Sequence, residues 1–200
     1  MMPRRNLFLI LLGGLLALGR LAADESRVLV LDPERSTIEV QVHATFDSFA
    51  GKLTRFQTDI AVDPAHQRTT RARISFNFAD LQTGRERRNR DMLVWTENDR
   101  FPTVEFEMAS MESPTEGPAL IHGNLRLHGI THATTFPVSY LVDDRLQAFD
   151  GEVVIDYRDY GLPIIRKFYL ITVDPVLRIR FHLQGRLAPA PSALAATTPQ

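Results

Sequence analysis

From Arg71 to Phe78 the chain reads Arg-Ala-Arg-Ile-Ser-Phe-Asn-Phe, apolar and polar positions alternating without a slip. A period of two places Ala72, Ile74, Phe76 and Phe78 on one side of a strand and the polar residues on the other. The same pattern recurs along most of the chain. Thr37 to His43 aligns Ile38, Val40 and Val42, and Lys52 to Val62 aligns Phe56, Ile60 and Val62. Val104 to Met108 carries Phe106, and Leu120 to His128 aligns Ile121, Leu125 and Leu127. Thr134 to Val142 aligns Phe136, Val138, Tyr140 and Val142, and the next strand holds Phe149, Val153, Ile155 and Tyr157. Pro175 to Leu187 closes the series with Leu177, Ile179, Phe181 and Leu183 against Arg178, Arg180 and His182.

Turn chemistry separates these runs. Asp32-Pro33-Glu34, Asp63-Pro64-Ala65, the Gly129-Ile130-Thr131 corner and Asp143-Asp144-Arg145 are short breaks between strands, and Phe46 to Gly51 reads as a loop or tight corner. One segment breaks the period. Arg85 to Trp95 is dense in charge and does not alternate, so a helix is expected there, with Met92 and Trp95 facing the body and Phe101-Pro102 ending it. Counting from Thr37, this one short helix follows the third strand. About eight or more strands with short connections predict an all-β fold of antiparallel neighbours. A barrel is favoured over a sandwich because closure removes exposed edges, and eight strands can enclose one small ligand.

The amino terminus does not belong to that domain. Met1 to Asn6 is basic, Leu7 to Gly19 is apolar and Leu21-Ala22-Ala23 is small at its end. This order predicts a signal peptide over residues 1–23, because the apolar run is shorter than the ~20 residues that span a bilayer. The expected location is then periplasmic or secreted. The barrel domain is expected over 24–187, and 188–200, rich in Ala, Pro, Ser and Thr, as a disordered tail.

Removing residues 1–23 takes Arg4, Arg5 and Arg20 and no acid, leaving 20 basic against 24 acidic residues. Such a balance offers no field for nucleic acid. The chain has no cysteine, which excludes disulfides, thiolate metal sites and a catalytic thiol.

The order of several short segments then carries a resemblance. Ser36 precedes the first alternating strand, and Phe46 and Phe49-Ala50-Gly51 follow it. Next come Asp80-Leu81-Gln82-Thr83-Gly84, Arg90-Asp91-Met92, and Phe101-Pro102 with Phe106. Gly123 to Thr131, Phe136-Pro137-Val138 and Arg158-Asp159-Tyr160-Gly161-Leu162 complete the set over about 150 residues. In this order the chain resembles the YceI-like, or polyisoprenoid-binding, family of exported bacterial proteins, whose barrels look like lipocalins. The resemblance implies a lipocalin-like barrel whose cavity takes an isoprenoid lipid such as the tail of a quinone. It supplies no catalytic motif and no covalent cofactor. The commoner family pattern has His-Leu after Arg-Asp and a longer run to the following proline. Here Met92-Leu93-Val94-Trp95 stands in that place, so the lid differs.

The expected ligand-binding lining is Ile38, Val40, Val42, Phe56, Ile60, Ile74, Phe76, Phe78, Phe106, Leu125, Leu127, Phe136, Val138, Ile155, Ile179 and Phe181. The same alternation also suits a barrel filled by its own side chains. A polyprenyl chain of ~40 carbons has about 30 kcal/mol of gross transfer energy from water, but its competitor is the bilayer. Net exchange near zero suits a carrier and requires no charged anchor. Partners expected from this reading are the isoprenoid lipid or quinone, a membrane surface, a membrane redox protein and a second copy in a homodimer. The alternatives are a filled interaction or stress-response module and an enzyme using the cavity.

Other constellations are weaker. His122 and His128 lie ~20 Å apart by strand rise, too far to share an ion. His128 and His132 can meet across a corner but find no third ligand nearby in sequence, so no metal is expected. Glu105 and Glu107 lie opposite the apolar face, and Asp156 and Asp159 are read as shaping a turn rather than as acid and base. Arg85, Arg87, Arg88 and Arg90 form a basic patch that suits anionic head-groups, although a solvated helix face is the simpler account.

Overall fold

The alternating stretches become strands whose dry faces turn inward around a common axis. The computed structural model describes residues 27–45, 47–142, 146–167 and 171–189. Its strands are β1 (Arg27–Leu31), β2 (Thr37–Ala44), β3 (Asp47–Leu53), β4 (Gln57–Asp63), β5 (Arg68–Asn77) and β6 (Leu81–Gln82). After helix α1 (Glu86–Trp95) come β7 (Thr103–Glu112), β8 (Ala119–Leu127), β9 (Ile130–Val142) and β10 (Gln147–Asp156). The short β11 (Arg166–Lys167) and β12 (Ile171–Thr172) precede β13 (Val176–Pro189). The expected leader, Phe46, the Asp143 to Arg145 turn and the chain beyond Pro189 lie outside the described residues.

Eight strands, β1-β4-β5-β7-β8-β9-β10-β13, close by antiparallel pairing of β13 back onto β1. The barrel predicted from periodicity is therefore present. β13 is long because it serves two partners on one side: Arg178 to His182 pair with β2 and Gly185 to Pro189 with β1. Ser36 seals the change of partner. Its hydroxyl donates to the Gln184 carbonyl and accepts from the Gln184 N–H, both at 3.1 Å. Gly185 stands beside this join because a Cβ there would lie 2.2 Å from the Val30 carbonyl oxygen.

Some expectations shift. Phe46 to Gly51 is not simply a corner, since Asp47–Leu53 pairs with β2 as strand β3. Its run Asp-Ser-Phe-Ala-Gly lacks the large apolar alternation that marks the other strands. Helix α1 follows these early strands, after β5 and β6. The helix ends at Trp95, the last residue of the expected helical stretch, before the chain reaches Phe101-Pro102. Glu97 adopts φ +48°, and the N–H groups of Glu97 and Asn98 bond the carbonyls of Val94 and Leu93, a Schellman-type stop six residues before Phe101. At the other end β13 runs through Ala188 and Pro189, two residues past the expected boundary, because both pair with β1.

The wet faces of the strands carry cross-strand ion pairs: Arg71 with Asp59, Arg73 with Glu107, Arg126 with Glu105, and Arg178 and Arg180 with Glu152. Glu105 and Glu107 are thus outer-wall partners of arginine. Hydrogen bonds from Arg71 hold the Asp59 carboxyl below its ordinary range, bonds from Arg180 and Arg178 do the same for Glu152, and Arg158 for Asp156. A folded-state pKa below the unfolded one stabilises at pH above the unfolded value and is lost as pH falls through the folded one. Thermal melts should therefore be flat from neutrality to about pH 5 and fall below about pH 4, near the unfolded carboxylate range. Glu152→Gln should lessen that fall.

Candidate functional site: an apolar chamber under a helical lid

The dry faces do not fill the barrel. In its lower half the Phe136 ring meets Phe106 at a tilt and Phe181 edge-on, at centroid distances of 5.4 and 6.0 Å. They leave a void of about 110 Å³, lined among others by Ile38, Ile60, Ile74, Leu125 and Val138. Glycine makes room for two of these rings. A Cβ on Gly123 would fall 2.5 Å from the Phe106 ring, and one on Gly151 2.4 Å from Phe181.

Above it lies a chamber of about 1020 Å³, at the upper end of ordinary small-molecule cavities. Phe76, Val104 and Ile179 line both spaces, so they form the floor of one and the roof of the other. The upper walls come from Val40 and Val42 on β2, Phe49 on β3, Leu127, Ile155 and Leu177, with Phe78 and Leu81 beside them.

Helix α1 covers this chamber. Thr83 and Gly84 deliver the chain to it: Gly84 takes φ +73°, and Asn89 Oδ1 accepts from the Thr83 N–H at 2.9 Å and its hydroxyl at 2.7 Å. Met92, Leu93 and Trp95 pack against the core from this helix. Trp95 Nε1 donates to the Pro163 carbonyl at 2.9 Å, and its ring meets Tyr157 edge-on at 5.0 Å. The Tyr157 hydroxyl in turn donates to the Val173 carbonyl and accepts from the Ile165 N–H. The lid is thereby clasped to Pro163 directly and, through Tyr157, to Ile165 and Val173. Burial pushes the Tyr157 phenol up, which keeps it a neutral donor.

The rim is basic. Arg85, Arg87, Arg88 and Arg166 border the chamber, opposed by Asp47 and Asp91. The Arg88 guanidinium stacks 3.6 Å from the centroid of Phe49 and lies 3.6 Å from Asp47.

A family profile described as YceI-like domain matches residues 29–185 of the chain. The chain belongs to the YceI-like family. Comparison with curated protein sequences gives no match. Among solved structures, BcnA of Burkholderia cenocepacia superposes with a TM-score of 0.69 at 19% identity, covering 78% of this chain and 99% of that one. The YCEI protein of Campylobacter jejuni gives 0.62 at 12%, covering 74% and 90%. A polyisoprenoid binding domain from Saccharophagus degradans gives 0.56 at 12%, covering 82% and 99%. At these identities the likeness is one of fold.

Within this YceI-like barrel the residues picked out by alternation distribute over the two spaces as follows. Ile38, Ile60, Ile74, Phe106, Leu125, Phe136, Val138 and Phe181 line the lower void. Val40, Val42, Phe78, Leu127 and Ile155 line the chamber, and Phe76 and Ile179 line both. Phe56 lines neither. It packs on the core from the irregular stretch between β3 and β4, where the expected single strand from Lys52 is broken. Phe49, Trp95, Tyr157, Ile164 and Ile165 also line the chamber. Of these, Phe49, Trp95 and Tyr157 carried a signal in sequence, as a loop aromatic, an inward helix position and the last aligned residue of a strand, and Ile164 and Ile165 carried none.

The histidines have structural partners. His128 Nδ1–H donates to the Tyr160 carbonyl at 3.0 Å and His132 Nε2–H to the Asp159 carbonyl at 2.9 Å. Both pin the helical turn Tyr157–Tyr160 to the β8–β9 hairpin. Positive φ at His128 and Gly129 makes that hairpin a two-residue turn of the type that follows strand twist. Asp156 accepts from the Arg158 N–H at the start of the same turn, as its expected shaping role requires.

Proposed function

We propose that this YceI-like protein is an exported binding protein that holds and carries an isoprenoid lipid, such as a polyprenyl quinone, in its barrel and performs no chemistry on it. One observation carries the reading: a chamber of about 1020 Å³ with walls of Val, Leu, Ile, Phe and Met, and a smaller apolar void beneath it across the shared wall of Phe76, Val104 and Ile179. A wide apolar chamber with a second apolar space beneath it suits a long hydrocarbon that enters end first. The charged and polar side chains bordering the chamber gather at the lid and rim, not deep in the barrel, which favours binding over catalysis. The polyisoprenoid binding domain with the same fold supports the choice of cargo. Export, to the periplasm or beyond the cell, rests on the leader-like order of residues 1–23.

Organic extraction of protein purified from the producing cell, with native mass spectrometry of the intact protein, tests this reading. A stoichiometric co-purifying lipid is the expected result. Protein that accumulates with an empty barrel, and fails to take up polyprenyl quinone from detergent, overturns it.

A further inference from the structure

A carrier exchanges its cargo at the mouth, and the mouth of this barrel is basic. Arg85, Arg87, Arg88 and Arg166 surround it against Asp47 and Asp91, in a chain whose acids outnumber its bases, 24 to 23. The stability of α1 does not account for this placement. Arg85 is the N-cap, and Arg87 and Arg88 fall in the first turn, where the helix dipole disfavours cations. No basic residue occupies the last turn, where the dipole favours one. Fold-stabilising pairing does not account for it either. Among the described residues Arg85, Arg87 and Arg166 make no ion pair, and Arg90 reaches Glu86 only at 3.6 Å. At the rim of the chamber, on the same helix, stands Val94, 80% exposed. It follows Arg87 and Arg90 at i+7 and i+4, on the face that carries them.

Arginines around an apolar knob, at the opening of an apolar chamber, complement one surface in particular. We propose that α1 docks the mouth of the barrel on an anionic lipid bilayer, with Arg85, Arg87, Arg90 and Arg166 among the head-groups and Val94 below them. Glu86 and Asp91 offset part of the charge and keep the attachment reversible. The inference rests on the carrier reading, to which it adds the place of exchange. Docking in this orientation turns the chamber toward the hydrocarbon, so that cargo crosses the rim without passing through water.

Vesicle flotation of the protein as it accumulates in the producing cell tests the proposal. The probes are vesicles of phosphatidylglycerol with phosphatidylcholine, and of phosphatidylcholine alone. Binding to the first should exceed binding to the second, and should weaken between about 0.01 M and 1 M salt, as the screening length falls from ~30 to ~3 Å. Arg87→Gln with Arg90→Gln should lower affinity about 25-fold, roughly fivefold per arginine. Arg73→Gln with Arg126→Gln removes the same charge from the outer wall and should leave binding unchanged. Val94→Asp should weaken it further. Any leader retained adds equally to every variant. Equal losses from both arginine pairs, or equal binding to both vesicles, overturn the proposal. So does a Val94→Asp variant that turns a dimer into a monomer without affecting flotation, for then the face belongs to a second copy. Lipid found by extraction without vesicle binding defeats the docking surface alone. Vesicle binding by a protein that never holds lipid defeats the carrier alone.

Discussion

Replacing Ile179 with aspartate should empty the barrel. Ile179 lies on β13 at the waist between the two spaces and touches both. A chain that reaches from the chamber toward the lower void meets it. A carboxylate there must either stay charged against hydrocarbon or take up a proton and remain a polar group with no partner among Phe76, Val104 and Phe181. Either course costs cargo binding about 3 kcal/mol or more, a loss on the order of a hundredfold. Extraction should then recover little or no lipid, while circular dichroism still reports a β-sheet protein. Ile179→Thr, closer in shape, tests the same position if the aspartate variant does not fold, with a smaller loss expected. Undiminished lipid in both variants would mean that no chain passes the waist.

Gly185→Ala should be the most damaging single-methyl addition in the molecule. The new Cβ would meet the Val30 carbonyl oxygen at 2.2 Å and Val30 C at 2.8 Å, and backbone atoms of a paired strand cannot step aside as a side-chain tip can. The strand displaced is β1, whose pairing with β13 closes the barrel. A cost of about 3 kcal/mol is expected, at the upper end for overpacking. At about 2–4 °C per kcal/mol for a domain of this size, melting should fall by roughly 10 °C. Gly151→Ala provides the contrast. Its added methyl meets the far end of the Phe181 ring, which can swing into the void below, so its melting point should fall less. If the two variants melt alike, the contact between Gly185 and Val30 is not what limits closure.

Much of this architecture is legible in the chain because alternation is a local property. Ile38-x-Val40-x-Val42 or Leu177-x-Ile179-x-Phe181 names the inner face of its strand whatever its neighbours are. Where local order fails, so does the reading. Asp47 to Leu53 is held as a strand by β2 beside it, not by its own pattern. Phe56 shares the parity of Ile60 and Val62 but sits in the irregular stretch just before β4, a break that parity does not reveal. Most of the mouth could not be read at all. Arg166 joins Arg85 and Arg87 there only because the fold brings β11 to the lid across some eighty residues. The clasp of Trp95, Pro163 and Tyr157 likewise joins segments that carry no mutual signal in sequence. The emptiness of the chamber is a property of volume, and residue pattern is silent on volume.

The lid carries the single tryptophan of the protein, half-buried, its indole N–H tied to Pro163 and its ring set edge-on to Tyr157. Every photon of tryptophan emission thus originates at the entrance. A shift in its colour as hydrocarbon replaces water beneath α1, or as the tie to Pro163 breaks, times occupancy and opening without any attached dye.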